Sequence, residues 1–381
     1  MAALYCFWLE NSKRLKLLFM SLAIGIVGLP NVGKSTLFKA LTKKQIDIAN
    51  YPFCTIEPNV GVVAVPDERL EKLAMVAKSA KIVPTVIEFV DIAGLVKGAS
   101  VGEGLGNKFL ANIREVDAIV QVVRDFFDPN IIHVNNKVDP QSDIATINTE
   151  LAIKDLETVS HRLSELNKKA KSGASKEDEF NIELVNRVKD GLNQGKLVSD
   201  LGLNEEEKKS LHDLNLLTNK PVIYVMNVDE SAVGRGQGTA LPVLEGLDPE
   251  RVVCISAKIE AELAELDDEE RKEYLKELGM NESGLDKLIK KSYQILNLIT
   301  FLTTGPDETR AWTVTRGAKA PEAAGKIHTD IQQGFIRAEV CNWQDFVQYG
   351  EAGCKERGLV RLEGKDYVVQ DGDTVYFRFS N

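Results

Sequence analysis

A glycine-containing loop follows directly on an apolar stretch near the start of the chain. Residues 28–36 read Gly-Leu-Pro-Asn-Val-Gly-Lys-Ser-Thr, and residues 22–27 before them have the composition of a buried strand. The loop fits the pattern G-x-x-x-x-G-K-[ST], in which glycines let backbone N–H groups close around phosphate oxygens and the following helix adds its positive end. This order of strand, loop and helix predicts a nucleoside triphosphate site.

Each part of the loop has a predicted role. Lys34 supplies a mobile cation to the β- and γ-phosphates and is counted among the catalytic residues, while the Ser35 hydroxyl is a natural ligand for Mg²⁺. Gly28 and Gly33 allow the close backbone approach. The other loop residues predicted to contact the nucleotide are Asn31, Val32 and Thr36.

The next two polar segments are predicted to sense the γ-phosphate. Thr55, in a loop rich in Asn, Pro and Thr, is placed to close onto Mg²⁺ and the γ-phosphate. Asp91 ends an apolar stretch and can hold Mg²⁺ through water, while the Gly94 N–H can reach the γ-phosphate and is counted as catalytic. The predicted metal ligands are therefore Ser35, Thr55 and Asp91.

Two later strand ends are predicted to contact the base, through Asn227, Val228, Glu230, Ser256 and Ala257. Guanine-specific proteins of this class carry Asn-Lys-x-Asp, whose aspartate accepts two hydrogen bonds from guanine. Here Val228 stands in place of the lysine, and Glu230 replaces the aspartate with a side chain one methylene longer. Guanine preference should weaken, because a misplaced buried carboxylate is left unpaired. These residues alone do not exclude the alternative of a GTPase with relaxed base specificity.

The residue after Gly94 bears on hydrolysis. Many GTPases carry a glutamine there to orient the attacking water, and this chain has Leu95. An aliphatic side chain cannot orient water, so a partner, a monovalent cation or a residue on a mobile loop must do so. We expect slow intrinsic turnover that a partner stimulates.

Alternating apolar strands and amphipathic helices predict an α/β fold with a mostly parallel sheet covered on both faces. Strands are predicted at Ala118 to Val123, Val222 to Met226 and Asp366 to Val369, and an acidic helix from Leu263 to Leu278. Between residues 140 and 214, apolar residues repeat at helical spacing on both sides of the breaker at 172–175, which predicts an inserted antiparallel helical arm. The predicted domains are an appendage at 1–19, a P-loop nucleotide-binding domain at 20–139 and 215–298, the arm at 140–214, and a small α+β module at 299–381.

Composition excludes some partners and compartments. The net charge of −10 argues against non-specific adhesion to nucleic acid. Five scattered cysteines, none spaced as C-x-x-C, argue against a disulfide framework and favour a reducing, cytoplasmic compartment. A secretion signal at the start is rejected because its cleavage would destroy the phosphate loop, and no membrane contact is expected. Met20 is an alternative start.

The segment Asp91 to Gly106 is similar to the Obg branch of translation-factor-class P-loop GTPases. Together with the phosphate loop, the stretch Asn50 to Pro58, the helical insertion and the C-terminal module, it resembles the YchF type, the Obg-like ATPases, over nearly everything from Met20 to Asn381. The resemblance implies ATP hydrolysis, a C-terminal TGS domain of β-grasp shape, a monomer, and association with the ribosome, its large subunit and RNA.

The same resemblance bears on two further residues. Asn31 matches the position that ligates K⁺ in cation-dependent members of the wider class, so K⁺ is an expected activator beside Mg²⁺. The catalytic histidine proposed for the family falls on His133. A single histidine between apolar residues is also typical of packing, and both interpretations stay open.

Two other functions compete with the ATPase switch. A small-molecule kinase shares the phosphate loop, but it adds an arginine-bearing lid and lacks the combination of Asp91, Gly94, Asn227 and Ser256 seen here. A binding module could hold the nucleotide only as a structural element. Nucleotide affinities measured with and without ribosomes separate these functions.

Overall fold

The computed structural model describes residues 22–44, 59–92, 105–131, 133, 137–171, 173, 175–233, 244 and 246–380. The predicted appendage at 1–19, Thr55, Gly94 and Leu95 lie outside these ranges. Contacts divide the described chain into two compact units. We call residues 23–43 and 89–287 the P-loop unit, and residues 59–88 and 288–380 the C-terminal unit.

The strands are, in chain order, β1 (Ala23–Gly28), β2 (Val60–Ala64), β3 (Lys81–Val83), β4 (Val86–Asp91), β5 (Ala118–Asp125), β6 (Val222–Val228), β7 (Val252–Ile255), β8 (Leu298–Thr304), β9 (Glu308–Thr315), β10 (Phe335–Asn342), β11 (Arg361–Glu363) and β12 (Asp373–Phe379). The α-helices are α1 (Lys34–Lys43), α2 (Glu68–Ala77), α3 (Leu105–Glu115), α4 (Pro140–Ala170), α5 (Lys176–Asn193), α6 (Glu205–Leu211), α7 (Ala257–Leu263), α8 (Asp268–Glu277), α9 (Gly284–Ile295), α10 (Ala320–Ile327), α11 (Thr329–Gln333) and α12 (Trp343–Glu356).

The P-loop unit is built on the strand order β4-β1-β5-β6-β7. The pairs β1–β5, β5–β6 and β6–β7 are parallel. Strands β5 and β6 are buried along almost their whole length, as expected for parallel strands covered on both faces. The predicted mostly parallel α/β sheet is therefore confirmed, and it brings the ends of β1, β5, β6 and β7 to one edge.

The predicted helical arm is present as the antiparallel pair α4 and α5. Their apolar stripes form one buried cluster, which includes Val159 and Val188. Ser175 and Asp178 form a capping box that starts α5, with Asp178 N donating to Ser175 Oγ at 3.1 Å. The breaker between the two stripes therefore ends one helix and starts the next, as the sequence predicts.

A buried carboxylate ties the arm to the sheet. Asp155 of α4 is completely buried and accepts hydrogen bonds from Leu217 N at 2.9 Å, Thr218 N at 2.8 Å and Thr218 Oγ1 at 2.7 Å. Burial raises the pKa of Asp155, and these hydrogen bonds oppose the shift. Since Leu217 and Thr218 precede β6, the arm is anchored to the strand that ends in Asn227 and Val228.

The C-terminal unit contains a sheet of order β11-β10-β12-β8-β9-β3. One apolar cluster includes Phe301, Val340 and Phe377, with residues of α10. A second cluster packs Leu73 of α2 against residues of β8, β9, β10 and α12, including Phe346. The structure thus groups β3 and α2 with the C-terminal strands, whereas the predicted boundary begins this domain at residue 299, and the predicted division remains a proposal.

Two predicted elements are wrong. The sequence predicts one acidic helix from Leu263 to Leu278, but α7 ends at Leu263 and α8 begins at Asp268. Asp267 caps the second helix by accepting from Glu269 N at 3.0 Å and Glu270 N at 2.9 Å, so the carboxylate restarts the helix rather than continuing it.

The other error lies in the C-terminal unit. The predicted strand from Asp366 to Val369 is a single bridge between Lys319 and Val368. The short β11, at Arg361–Glu363, pairs with β10 in its place. Within the described ranges, no helix is long and apolar enough to cross a membrane.

Candidate functional site

A cavity of about 830 Å³ lies at the edge of the P-loop unit where the parallel strands end. Four chain segments line it: the loop after β1, the loop after β5, the end of β6 and the start of α7. The lining residues include Leu29, Pro30, Asn31, Gly33, Lys34, Ser35, Thr36, Phe126, Phe127, Asp128, Ile131, Asn227, Val228, Asp229, Glu230, Ser256, Ala257 and Lys258. Most of the site residues predicted from the sequence therefore meet in one place, as expected for open α/β sheets.

The two loop glycines are required by their surroundings. Gly33 has φ +93°, and a Cβ added there would lie 2.2 Å from Asn227 Nδ2. A Cβ on Gly28 would lie 2.9 Å from the carbonyl oxygen of Val122 and 2.9 Å from Cγ2 of Val32. Neither position has room for a side chain, and the predicted approach of this backbone to phosphate oxygens stays a prediction.

Asn227 joins three segments of the site. Its Nδ2 donates to the carbonyl oxygen of Val32 at 2.9 Å, and its Oδ1 accepts from Ala257 N at 3.0 Å. The side chain is 6% exposed, so these bonds are shielded from water. Asn227 therefore positions the phosphate loop and the start of α7. The sequence predicted only a contact between Asn227 and the base, and did not indicate this positioning role.

An ion pair lies at the side of the cavity where the sequence predicts that the phosphates bind. Lys34 Nζ pairs with Asp91 Oδ1, and the two side chains are 11% and 22% exposed. The pair offers a cation and an anion, and the hydroxyl-bearing residues Ser35 and Thr36 are exposed beside it. When a triphosphate and its metal bind, Lys34 can exchange Asp91 for the phosphates and Asp91 can exchange Lys34 for the metal.

The donor set fits Mg²⁺. This ion is usually held by one or two protein oxygens, waters and substrate phosphates rather than by a cluster of protein ligands. Ser35 and Asp91 provide a hydroxyl and a carboxylate of that kind, while the third predicted ligand, Thr55, lies outside the described residues. In the part of the chain that the structure describes, no group of three His, Cys, Asp or Glu side chains is arranged to hold a metal without such help.

The side of the cavity where the sequence predicts that the base binds contains an apolar residue and a paired carboxylate. Val228 is 8% exposed. Glu230 Oε1 accepts from Lys258 Nζ at 2.5 Å, so the carboxylate that replaces the guanine-reading aspartate already has a cationic partner. Nearby, burial and the charge of Asp229 raise the pKa of Asp125 at the end of β5.

Phe126 and Phe127 belong to the site, although the sequence argument did not include them. Phe127 lines the cavity with its side chain 77% exposed, which is unusual for a large aromatic residue. Their position directly after β5 could have indicated this, because residues that follow the strands of a parallel sheet lie at the edge where ligands bind.

His133 is engaged elsewhere. Its side chain is 4% exposed, and Nε2 lies 2.9 Å from Asp143 Oδ2 near the start of α4. This geometry matches the packing interpretation and links the loop after β5 to the arm. Catalysis by His133 stays a prediction.

Two family models match the chain. Residues 23–168 match the family described as "50S ribosome-binding GTPase", and residues 298–380 match the C-terminal YchF-GTPase family described as "Protein of unknown function (DUF933)". The second match coincides with the strands and helices from β8 to the end of β12.

Curated relatives match almost end to end. The "Ribosome-binding ATPase YchF" of Bacillus subtilis (strain 168) is 53% identical over 366 residues, which cover 95% of this chain and 100% of the relative. The protein of the same name from Escherichia coli O157:H7 is 51% identical with the same coverage. A solved structure, the YchF GTPase of Schizosaccharomyces pombe, matches with a TM-score of 0.84 at 40% identity, over 94% of this chain and 98% of that one.

Proposed function

This chain belongs to the YchF family, and on that premise we propose that it binds and slowly hydrolyses ATP as a nucleotide-dependent switch on the ribosome. The observation that carries the proposal is one cavity lined by Lys34 and Ser35 on one side and by Val228 and Glu230 on the other, with Asp91 paired to Lys34. The relatives named above are ribosome-binding ATPases. We further propose a cytoplasmic monomer that contacts the large ribosomal subunit and its RNA.

The phosphate end of the site accounts for triphosphate binding. The Lys34 ammonium can transfer from Asp91 to the β- and γ-phosphate oxygens, where it balances their charge. Asp91 and Ser35 would then hold Mg²⁺, which supplies charge neutralisation at the transferred phosphoryl group. The backbone around Gly28 and Gly33 keeps the phosphates close to loop N–H groups.

The base end favours adenine over guanine. A guanine-reading carboxylate must accept from two guanine donors, but Glu230 is bound to Lys258 and sits on a longer stem. That ion pair is exposed and costs little to break, so the displacement of the carboxylate by its longer stem carries the preference, while adenine presents no N1–H that requires a carboxylate. Val228 and the exposed ring of Phe127 offer apolar contact to either face of a purine.

For hydrolysis, we propose that this protein positions water through groups other than residue 95. Leu95 has no polar group, and Thr55 and Gly94 are proposed to act on the γ-phosphate from their own segments. Asn31 has φ +63°, a left-handed conformation that asparagine tolerates better than most residues. Its exposed side chain at the cavity is the proposed ligand for an activating K⁺.

Base choice provides the first test. We expect calorimetry with Mg²⁺ to show tighter binding of ATP than of GTP to the wild-type protein. The double variant Val228→Lys with Glu230→Asp rebuilds the guanine-reading pattern and should improve GTP affinity about tenfold or more, the size of one recovered paired contact. A clear wild-type preference for GTP, or no gain in the double variant, contradicts this account of the base site.

Ribosomes and potassium provide the second test. We expect ATP turnover by the purified protein to be slow, to rise when ribosomes are added, and to be faster in K⁺ than in Na⁺ buffer. Asn31→Ala should remove the K⁺ effect and leave stimulation by ribosomes in place. Turnover that stays the same with or without ribosomes, in both buffers, is incompatible with the switch.

A further inference from the structure

Arg124 is an arginine held inside the P-loop unit, one residue before the end of β5. Its side chain is 1% exposed, and its guanidinium lies over the ring of Phe126 at 4.5 Å from the centroid. A buried charge is costly unless its hydrogen-bond donors are satisfied. The cost of burying this charge must therefore be offset by the groups that its N–H donors bind.

The guanidinium donates to three backbone carbonyl groups of one loop. Nε donates to the Phe126 oxygen at 3.2 Å, Nη1 to the Ile131 oxygen at 3.0 Å, and Nη2 to the Asp128 oxygen at 3.3 Å. Arginine offers five N–H groups in a fixed planar fork. The loop from 126 to 131 is therefore wrapped around one rigid template.

That loop is a wall of the nucleotide cavity, at the end where the base is proposed to lie. Phe126, Phe127, Asp128 and Ile131 all line the cavity. The ring of Phe127 is 77% exposed, so side-chain packing does little to fix it and its backbone must set where it points. What holds the backbone of this loop consequently decides whether the ring can meet a purine.

We propose that Arg124 is a positioning residue for base recognition: it holds the loop from 126 to 131 so that Phe127 faces the purine, without itself touching the nucleotide. The inference rests on the proposed ATP site and adds a specificity determinant to it. The charge and the shape of arginine are both needed. Lysine would keep the charge but loses the planar fork and the stacking surface for Phe126.

The test compares two ligands that share phosphates but not a base. Calorimetry with Mg²⁺ measures the affinities of wild type and Arg124→Lys for ATP and for inorganic tripolyphosphate. We expect the variant to bind ATP about tenfold more weakly, the size of one aromatic stacking contact, while its affinity for tripolyphosphate stays the same. Equal losses for both ligands would mean that Arg124 supports the fold in general, which overturns the proposal.

Two further variants sharpen the result. In a Phe127→Ala background, Arg124→Lys should have little additional effect on ATP affinity, because its action passes through the missing ring. A further tenfold loss in that background refutes the route through Phe127. Arg114→Lys, a matched change at an arginine that donates to Thr158 Oγ1 on the arm, is expected to leave both affinities unchanged.

If Arg124→Lys does not fold, NMR spectroscopy of the wild-type protein tests the proposal instead. The Arg124 Nε–H should then give a resonance that exchanges slowly with water and shifts on addition of ATP but not of tripolyphosphate. Fast exchange, or equal shifts with both ligands, overturns the proposal. Absence of any ATP binding to the wild type refutes the proposed function itself, whereas normal ATP binding by folded Arg124→Lys refutes only this inference.

Discussion

Lys34→Ala is expected to bind ATP at least about 100-fold more weakly than the wild type, while keeping its fold. Removing one partner of a shielded charge pair costs about 2–5 kcal/mol, and the Lys34 ammonium is only 11% exposed at the site where the phosphates are proposed to bind. Calorimetry with ATP and Mg²⁺ measures the loss, and circular dichroism with thermal melting establishes that the variant is folded.

The same substitution should have little effect on the free protein. Asp91 loses its partner, but its side chain is 22% exposed and can take up water, so we expect a loss of unfolding free energy of about 1–2 kcal/mol, which a folded domain tolerates. Lys39→Ala is the matched control, because Lys39 lies on the exposed side of the same helix. Normal ATP affinity in Lys34→Ala contradicts the phosphate site and everything proposed from it.

The sequence predicted the strands β1, β5 and β6 and the phosphate loop well because both follow from local rules. Buried parallel strands are continuous apolar runs, and β1, β5 and β6 were predicted with ends within about three residues of those observed. The phosphate loop was predicted because its glycines, Lys34 and Ser35 must occur at fixed spacing. The arm was predicted from two apolar stripes and the breaker between them.

Contacts between distant segments were the part that could not be predicted. Nothing in the local pattern of Lys81–Val83 indicates that this short strand pairs with β9, more than 200 residues away. The two hydrogen bonds of Asn227 likewise join Val32 and Ala257, residues that only the sheet brings together. Periodicity reports which face of an element is buried, but not what lies against it.

The candidate site shows the same division. The spacing of Gly33, Lys34 and Ser35 in the sequence was enough to predict the residues of the phosphate loop. The position of Phe127 in the cavity wall could not be predicted in this way, because it depends on how the loop from 126 to 131 folds around the buried side chain of Arg124. His133 is the clearest example. The sequence left catalysis and packing open, and only the position of Asp143, ten residues along the chain, places its ring in a buried pair.

Gly33→Ala is expected to abolish tight nucleotide binding without adding or removing any charge. The new Cβ would lie 2.2 Å from Asn227 Nδ2, a distance that no side-chain contact tolerates, and φ at this position is +93°. If the Asn227 side chain moves, its hydrogen bonds with Val32 and Ala257 both break, and if the loop moves, the one with Val32 breaks. The strained backbone alone costs about 1–3 kcal/mol.

Gly202→Ala is the control that separates the effect of the steric clash with Asn227 from the effect of backbone strain. Gly202 also has positive φ, at +64°, but nothing lies within 4 Å of the Cβ that alanine would add. Both variants should melt at a lower temperature, by about 2–4 °C for each kcal/mol lost, but only Gly33→Ala should lose ATP affinity, by about 100-fold or more. If the two variants bind ATP equally well, contact between Gly33 and Asn227 does not hold the phosphate loop in its binding shape.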